Sequence, residues 1–363
     1  MARDNRFGSV RSYAYALLRW WRWLRAVGVE WNRATPAEAR DLVLWLKQAA
    51  KYRRARRTKS AETAGTINPV TRKPHLNDRY QANTIRHSNA VVRSFYEFWI
   101  ESGEGPLINP VQLARRGQRP HAHHNPLRPF RNEGKLRYNP KVPKPRPREM
   151  PEQRWRELFA ALKSNRDRAI LSIGVSNGAR ASEILGIRAE DLDWGDQLVR
   201  VVRKGTQARQ WLPTSPDAFV WLGLYLAELC EPLRPTDRVW QTLRRRDHGH
   251  GLRRHPLNYE ALRAVFRRVN ALLGANWSMH DLRHTAALRM ARDEALSLRD
   301  VQEILGHADL STTEIYLVED QAAVIRRVQQ HLVERQHRAQ QPPAPVAAGY
   351  DSTDLEVLFG GTL

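Results

Sequence analysis

Ser176-Asn177-Gly178-Ala179-Arg180-Ala181-Ser182-Glu183-Ile184-Leu185-Gly186-Ile187 is the stretch from which the second half of the chain can be read. An apolar run over 168–175 leads into it as a helix. The Asn-Gly pair imposes a tight turn, and Ser182 with Ile184 and Leu185 starts another helix. Arg180 then stands where one helix hands over to the next, a rigid mount for a permanent positive charge. Downstream, residues 191–194 precede two β-like segments, 198–203 and 209–213, joined by Lys204-Gly205-Thr206-Gln207. That spacing predicts a hairpin with a lysine at its tip. Further helices are expected at 151–159, 217–229, 259–273, 280–292, 298–305, 312–317 and 321–335. The fold class is mainly α with a small β-sheet, an α+β arrangement.

Upstream lies a small helical domain, 1–111. In 9–27, Tyr13, Leu17, Trp20, Trp21, Leu24 and Val27 recur at three- and four-residue intervals, as on one helix face. A second helix starts at Thr35, with Pro36 at its first position, Glu38 completing a capping box, and Ala39, Leu42, Val43 and Leu46 as its apolar face. The third, 83–100, carries Ile85, Val92, Phe95 and Trp99 and ends near Gly103, before Ile108-Asn109-Pro110. Between the second and third lies a polar insert, 51–79, opening with Lys51, Arg53, Arg54, Arg56, Arg57 and Lys59. It reads either as a solvated loop or as an arm contacting phosphate, and on both readings it is expected to be mobile when nothing is bound to it. Residues 112–149, rich in Pro, Arg, Lys and His and without periodicity, read as a basic linker between domains.

The 363 residues suffice for two or three domains. The net charge is +22, and nine of the 60 basic side chains are lysine, leaving 51 arginines. Arginine's planar fork donates parallel hydrogen bonds to phosphate and keeps its charge, so this excess points to a polyanion, most commonly nucleic acid. Composition alone fits an RNA-binding or ribosomal protein equally well. Cys230 is the only cysteine, which rules out an intramolecular disulfide. It closes an apolar stretch, 221–229, that reads as core. His121, His123 and His124 have no second ligand cluster to make a metal site, and none is expected. No apolar run approaches the roughly 18 residues of a membrane span, and 1–11 is not a signal peptide. A cytoplasmic, nucleoid-associated protein without membrane partners is expected.

Chemistry concentrates in the second domain, 150–338. In His280-Asp281-Leu282-Arg283-His284-Thr285, positions 280 and 283 share a helix face, with Ser278 as cap. Leu305-Gly306-His307 ends one helix and Ser311-Thr312-Thr313-Glu314-Ile315-Tyr316 begins the next, turning the tyrosine back towards His307. Each residue alone is ordinary. In this order and these contexts they are the groups needed to attack a phosphodiester with a phenol.

These motifs resemble the tyrosine recombinases, or phage-type integrases. The matches are 178–187 around Arg180, Arg203-Lys204-Gly205, 280–285, and Leu305-Gly306-His307 with Tyr316; residues 84–111, ending Asn109-Pro110-Val111, resemble the end of the family's helical core-binding domain. The resemblance covers roughly 10–335, and the insert, the long linker and the tail depart from it. It implies a site-specific DNA recombinase working through a 3′-phosphotyrosyl intermediate, with integration or excision of a mobile element as the favoured role. Tyr316 would be the nucleophile, Arg180 and Arg283 the phosphate clamp, Lys204 the acid for the leaving 5′-oxygen, His280 the acceptor of the phenol proton, and His307 a hydrogen-bond donor to phosphoryl oxygen. Glu183 would orient one of these groups, while Asp281 and His284 would support the helix. No cofactor or metal is implied. The implied partners are double-stranded DNA recombination sites and further copies of the chain, as a tetrameric synapse of paired dimers, with accessory DNA-bending proteins as optional partners. Tail residues 339–363, with Leu355, Val357, Leu358 and Phe359 in an acidic setting, would dock on a neighbouring protomer. The alternatives are a type IB-like topoisomerase and a catalytically silent DNA-binding regulator on the same fold.

Overall fold

The computed structural model describes residues 7–51, 63–114, 136–142, 147–229, 231–247, 251–307, 313, 315–316 and 328–335. Among the described residues, three α-helices build the N-terminal body: α1 (Phe7–Val27), α2 (Pro36–Gln48) and α3 (Ala82–Glu101). The capping box at Thr35 is present, with the Thr35 amide donating to Glu38 Oε2 at 2.7 Å and Thr35 Oγ1 accepting from Ala37 at 3.2 Å. The core joins Trp20, Leu24, Leu42, Val43, Leu46, Ile85, Val92 and Tyr96. Trp20 Nε1 donates to the Tyr96 hydroxyl at 2.8 Å, and that hydroxyl donates to the Trp31 carbonyl at 2.7 Å, so both buried polar tips are satisfied. The α1 stripe is narrower than expected. Ala16, Trp20 and Leu24 face inward at four-residue spacing; Trp21, next to a buried residue, points about 100° away and is exposed, and Tyr13 and Val27, towards the two ends of the helix, are exposed as well.

The second body contains α4 (Glu152–Ala160), α5 (Asn165–Asn177), α6 (Ala181–Ile184), β1 (Leu192–Asp193), β2 (Leu198–Val202), β3 (Arg209–Pro213), α7 (Pro216–Ala227), the small hairpin β4 (Arg246–Asp247) and β5 (Leu252–Arg253), α8 (Tyr259–Leu273), α9 (Met279–Arg292) and α10 (Leu298–Leu305). The β1-β2-β3 sheet is antiparallel, with Leu198 opposite Pro213 and Val202 opposite Arg209, so the expected hairpin around 204–207 is in place. Helix α5 is the centre: Ala169, Ile170, Leu171 and Ile173 are all buried, and it packs on both α7 and α9. A helix apolar on every side is one enclosed by its neighbours. Residues 328–335 are helical, as expected for part of 321–335.

The insert departs from expectation where it is described. Residues 66–75 form a hairpin, with the Asn68 amide donating to the Lys73 carbonyl at 2.8 Å and His75 to Thr66 at 2.8 Å. Its tip is held against the second body rather than free in solvent, since Asn68 Nδ2 donates to the Gly274 carbonyl at 2.8 Å and Asn68 and Thr71 are buried. The Asn68 side chain is thus hydrogen-bonded as well as buried, its Oδ1 accepting from the Val70 and Thr71 amides. Arg53, Arg54, Arg56, Arg57 and Lys59 lie outside the described residues, as do His121, His123, His124, Cys230 and the 339–363 tail.

Candidate active site

Four local structures converge on one cleft of about 1540 Å³, whose wall includes Arg180, Lys204, His280, Arg283, His307 and Tyr316. Arg180 follows Gly178, which closes α5 in the left-handed region (φ +67°). A Cβ there would lie 2.8 Å from Leu305 Cδ2, so glycine lets the turn press onto the end of α10. This turn delivers Arg180 to the start of α6.

Glu183 organises the arginines. Its carboxylate is buried, with Oε1 accepting from Arg180 Nη1 at 2.9 Å and the Lys204 amide at 3.1 Å, and Oε2 accepting from the Arg180 amide at 2.9 Å and Arg203 Nη1 at 3.3 Å. Burial alone would raise this group's pKa, but those hydrogen bonds, with the Arg180 charge, outweigh it and hold the carboxyl below the usual glutamate range. One side chain thus fixes the first arginine and the base of the Lys204 hairpin.

Arg203 was not singled out in the sequence beyond its place in the Arg203-Lys204-Gly205 motif. Strand alternation could have found it, since Val199 and Val201 are buried and 203 continues the same face. It donates to Gln210 Oε1 at 2.7 Å and to the Ile304 carbonyl at 2.5 Å, tying the hairpin to the end of α10. There Gly306 turns the chain at φ +62°, and a Cβ on it would sit 2.7 Å from Arg203 Nε.

Helix α9 presents the central motif. Arg283 is buried and donates to the Gly178 carbonyl at 2.6 Å, the Leu305 carbonyl at 2.8 Å and His307 Nε2 at 2.8 Å. Burial, then the Arg180 charge, pushes its pKa down to about 10, still cationic at neutral pH. Because a guanidinium can only donate, His307 must offer a lone pair at Nε2 and carry its proton on Nδ1, which donates to Thr313 Oγ1 at 2.9 Å. Burial and the arginines hold His307 down to about 4, in agreement with a neutral ring. In this state His307 braces Arg283, with both its ring nitrogens in hydrogen bonds.

Tyr316 is buried among Ala287, Leu288, Val301 and Leu305, and its ring stacks on His307 at 6.3 Å between centroids. Its hydroxyl pairs with His284 Nδ1 at 3.0 Å, and the His284 ring lies 4.2 Å from that of His280. The direct partner of the phenol is therefore His284, one turn beyond His280 on the same helix face, and not His280 as expected. Burial raises the Tyr316 pKa despite the opposing pull of Arg283 and Arg180, so the phenol keeps its proton at neutral pH. Burial, then His280, depresses His284 to about 4. Among the described residues, no group of three or more His, Cys, Asp or Glu is placed to hold a metal ion, and no helix is long and apolar enough to cross a membrane.

Residues 148–322 match the phage integrase family. This region belongs to that family. Tyrosine recombinase XerD of Lacticaseibacillus casei is 36% identical over 151 residues, which is 42% of this chain and 50% of the relative. Tyrosine recombinase XerD of Pseudomonas aeruginosa is 33% identical over 185 residues, 49% of this chain and 59% of the relative. The chain thus spans about half the length of these curated relatives. Among solved structures, a lambda integrase(75-356) dimer bound to a COC' core site shares the fold, with a TM-score of 0.54 at 13% identity over 87% of this chain and 90% of that one. The Tn1549 transposon integrase in complex with a circular intermediate DNA does so with a TM-score of 0.54 at 12% identity, over 84% and 87%. The integrase-family fold, mostly helical with a small sheet, is the one expected from the sequence.

Proposed function

We propose that this protein is a tyrosine-type site-specific DNA recombinase. The observation that carries this reading is the common cleft, where a tyrosine, two arginines, a lysine and three histidines drawn from separated parts of the sequence come together. Tyr316 Oη attacks a DNA phosphate. The Oη–P bond forms, the bond from phosphorus to the 5′-oxygen breaks, and the strand is held as a 3′-phosphotyrosyl ester. The phenol proton passes to His284, backed by His280, and Lys204 gives a proton to the departing 5′-oxygen, help that is typically worth about 10² to 10⁴ in rate. Arg180 and Arg283, preorganised by Glu183 and by backbone carbonyls, stabilise the charge gathering on the non-bridging oxygens. Attack by a 5′-hydroxyl of another strand reverses the sequence. Bond energy is conserved through the ester, so the chemistry of this chain's own residues closes without a cofactor.

The substrates we infer are double-stranded recombination sites, bound by paired dimers in a tetrameric synapse with accessory DNA-bending proteins where the site requires them. Basic residues Arg53, Arg54, Arg56, Arg57 and Lys59 would contact the DNA backbone, and the 355–359 segment would dock on a neighbouring protomer. The 1–111 clamp, 112–149 linker, 150–338 catalytic domain and 339–363 tail form the working division of the chain. Integration or excision of a mobile element is the favoured role, because the insert and linker depart from a compact recombinase plan, and the setting is a cytoplasmic nucleoid.

The test is recovery of DNA attached to the denatured protein from cells carrying the surrounding genomic element, with the attached ends sequenced. Ends clustered at one site support the recombinase; scattered ends would favour a topoisomerase, and their absence would favour a silent binder.

A further inference from the structure

The hairpin at 66–75 reaches across from the N-terminal body and ends on the helix that carries His280 and Arg283. Asn68 is the pivot: its Oδ1 accepts from the Val70 and Thr71 amides at 3.0 and 2.9 Å while its Nδ2 crosses to the Gly274 carbonyl. Thr71 bonds the Asn276 side chain, and Lys73 Nζ donates to the Asn276 carbonyl at 3.1 Å. The same ammonium meets Asp281 Oδ2 at 2.6 Å, with side-chain exposures of 27% and 12%. Asp281 is the N-terminal capping carboxylate of α9, and its Oδ2 also accepts from the Ser278 amide at 2.8 Å and Ser278 Oγ at 2.7 Å. Arg72, between these anchors, adopts a left-handed φ of +56°, uncommon for a side chain of its kind, and its carbonyl accepts from Arg148 at the end of the linker. Residues 70–74 line the same cleft as Tyr316.

We propose that this hairpin is a strap acting in cis, in which Lys73 is a positioning residue that locks the first turn of α9 and so sets His280 and Arg283 for reaction. The inference rests on the recombinase reading for its catalytic consequence. Geometry supports it in two ways. A partly buried ion pair to a capping carboxylate fixes a helix end more firmly than a neutral cap does, and the residue gripped lies directly after His280, whose ring backs His284. Electrically, His280 is flanked on its own helix by Asp281, Arg283 and His284, and faced by Lys73 from the strap and Arg180 from the turn before α6. Burial and the cations, Lys73 among them, lower its proton affinity, while Asp281 raises it. Removing the Lys73 charge leaves Asp281 to act on His280 less opposed.

The experiment uses the full chain as wild type, Lys73→Met and Lys73→Arg. Two readouts are taken: the His280 ring titration by NMR on the free protein, and the yield and pH profile of DNA covalently retained after denaturing capture. Lys73→Met should move the His280 midpoint upward, shift the acid limb of adduct formation the same way, and lower the yield roughly tenfold, as expected for loss of one charge-assisted contact; Lys73→Arg should restore all three. An unchanged titration with an unchanged yield overturns the proposal. So does a yield lost with the His280 midpoint unmoved and without rescue by arginine, which would leave Lys73 a stabilising contact only. If the wild type itself forms no adduct, the recombinase reading fails, and the His280 titration alone decides the strap.

Discussion

Replacing Glu183 with glutamine changes one atom of the side chain and should still be severe. The carboxylate is acceptor-only and takes two donors on each oxygen: Arg180 Nη1 and the Lys204 amide on Oε1, the Arg180 amide and Arg203 Nη1 on Oε2. Glutamine must turn its NH₂ towards one of these pairs, so whichever way the amide faces, two hydrogen bonds become donor–donor clashes. Two charge-assisted bonds at about 1.5–3 kcal/mol each suggest a loss of roughly 3–6 kcal/mol. The side chains of Arg203 and Glu183 are only 4% and 1% exposed, and breaking one partner out of a buried pair typically costs about 3–5 kcal/mol, in the same range. For a unit of this size roughly 2–4 °C accompany each kcal/mol, so the melting transition of the second body should fall by about 6–24 °C. The Glu183 pKa is lowered by folding, so its contribution is complete above the unfolded carboxyl value of about 4.3 and is lost as pH falls below it. The gap between wild type and Glu183→Gln in calorimetric melts at pH 7 should therefore narrow towards pH 3.5. A variant melting within about 1 °C of wild type at pH 7, roughly a few tenths of a kcal/mol by the same scaling, would refute the view that Glu183 organises the site.

Gly306→Ala imposes a left-handed alanine, costing about 1 kcal/mol, and drives Cβ into the Arg203 guanidinium; denaturant melts should show a loss of roughly 1–3 kcal/mol, and none would mean that Arg203 is not pinned. His284 and His307 sit at about 4 when folded against about 6.5 when unfolded, so their contribution is complete above pH 6.5 and is lost as pH falls towards 4. Unfolding midpoints should drop across that window, and less steeply in the His284→Gln/His307→Gln variant; parallel slopes would contradict the assignment. Tyr316→Phe removes only the hydroxyl bond to His284, so melts should move by about 1 kcal/mol or less while covalent DNA capture disappears. A large loss of stability would make the hydroxyl structural.

Much of the second body was legible because its signals are local. The Asn-Gly turn, the lysine-tipped hairpin and the capped helices 259–273 and 298–305 are fixed by neighbours within a few residues, and the structure places them where the spacing does. What escaped was contact at long range. That His284 rather than His280 meets the phenol depends on where Tyr316 lies against α9, since both histidines share a helix face. Sequence spacing could not choose between them. The neutral, bracing state of His307 follows from a donor-only guanidinium at 2.8 Å, a tertiary fact. The described part of the insert could not be read from composition: its polar residues fit a solvated loop, while Asn68, Thr71 and Lys73 anchor it to partners more than 200 residues away. Tyr13 and Trp21, apolar yet exposed, likewise show that side-chain character alone does not fix a helix's buried face.

In the proposed mechanism Tyr316 carries the DNA. Nuclease digestion of captured protein–DNA adducts, followed by mass spectrometry of the peptide containing residue 316, measures this directly. A nucleotide joined through its 3′-phosphate to the Tyr316 oxygen is the expected result. A nucleotide on any other residue, or one joined through a 5′-phosphate, would contradict it.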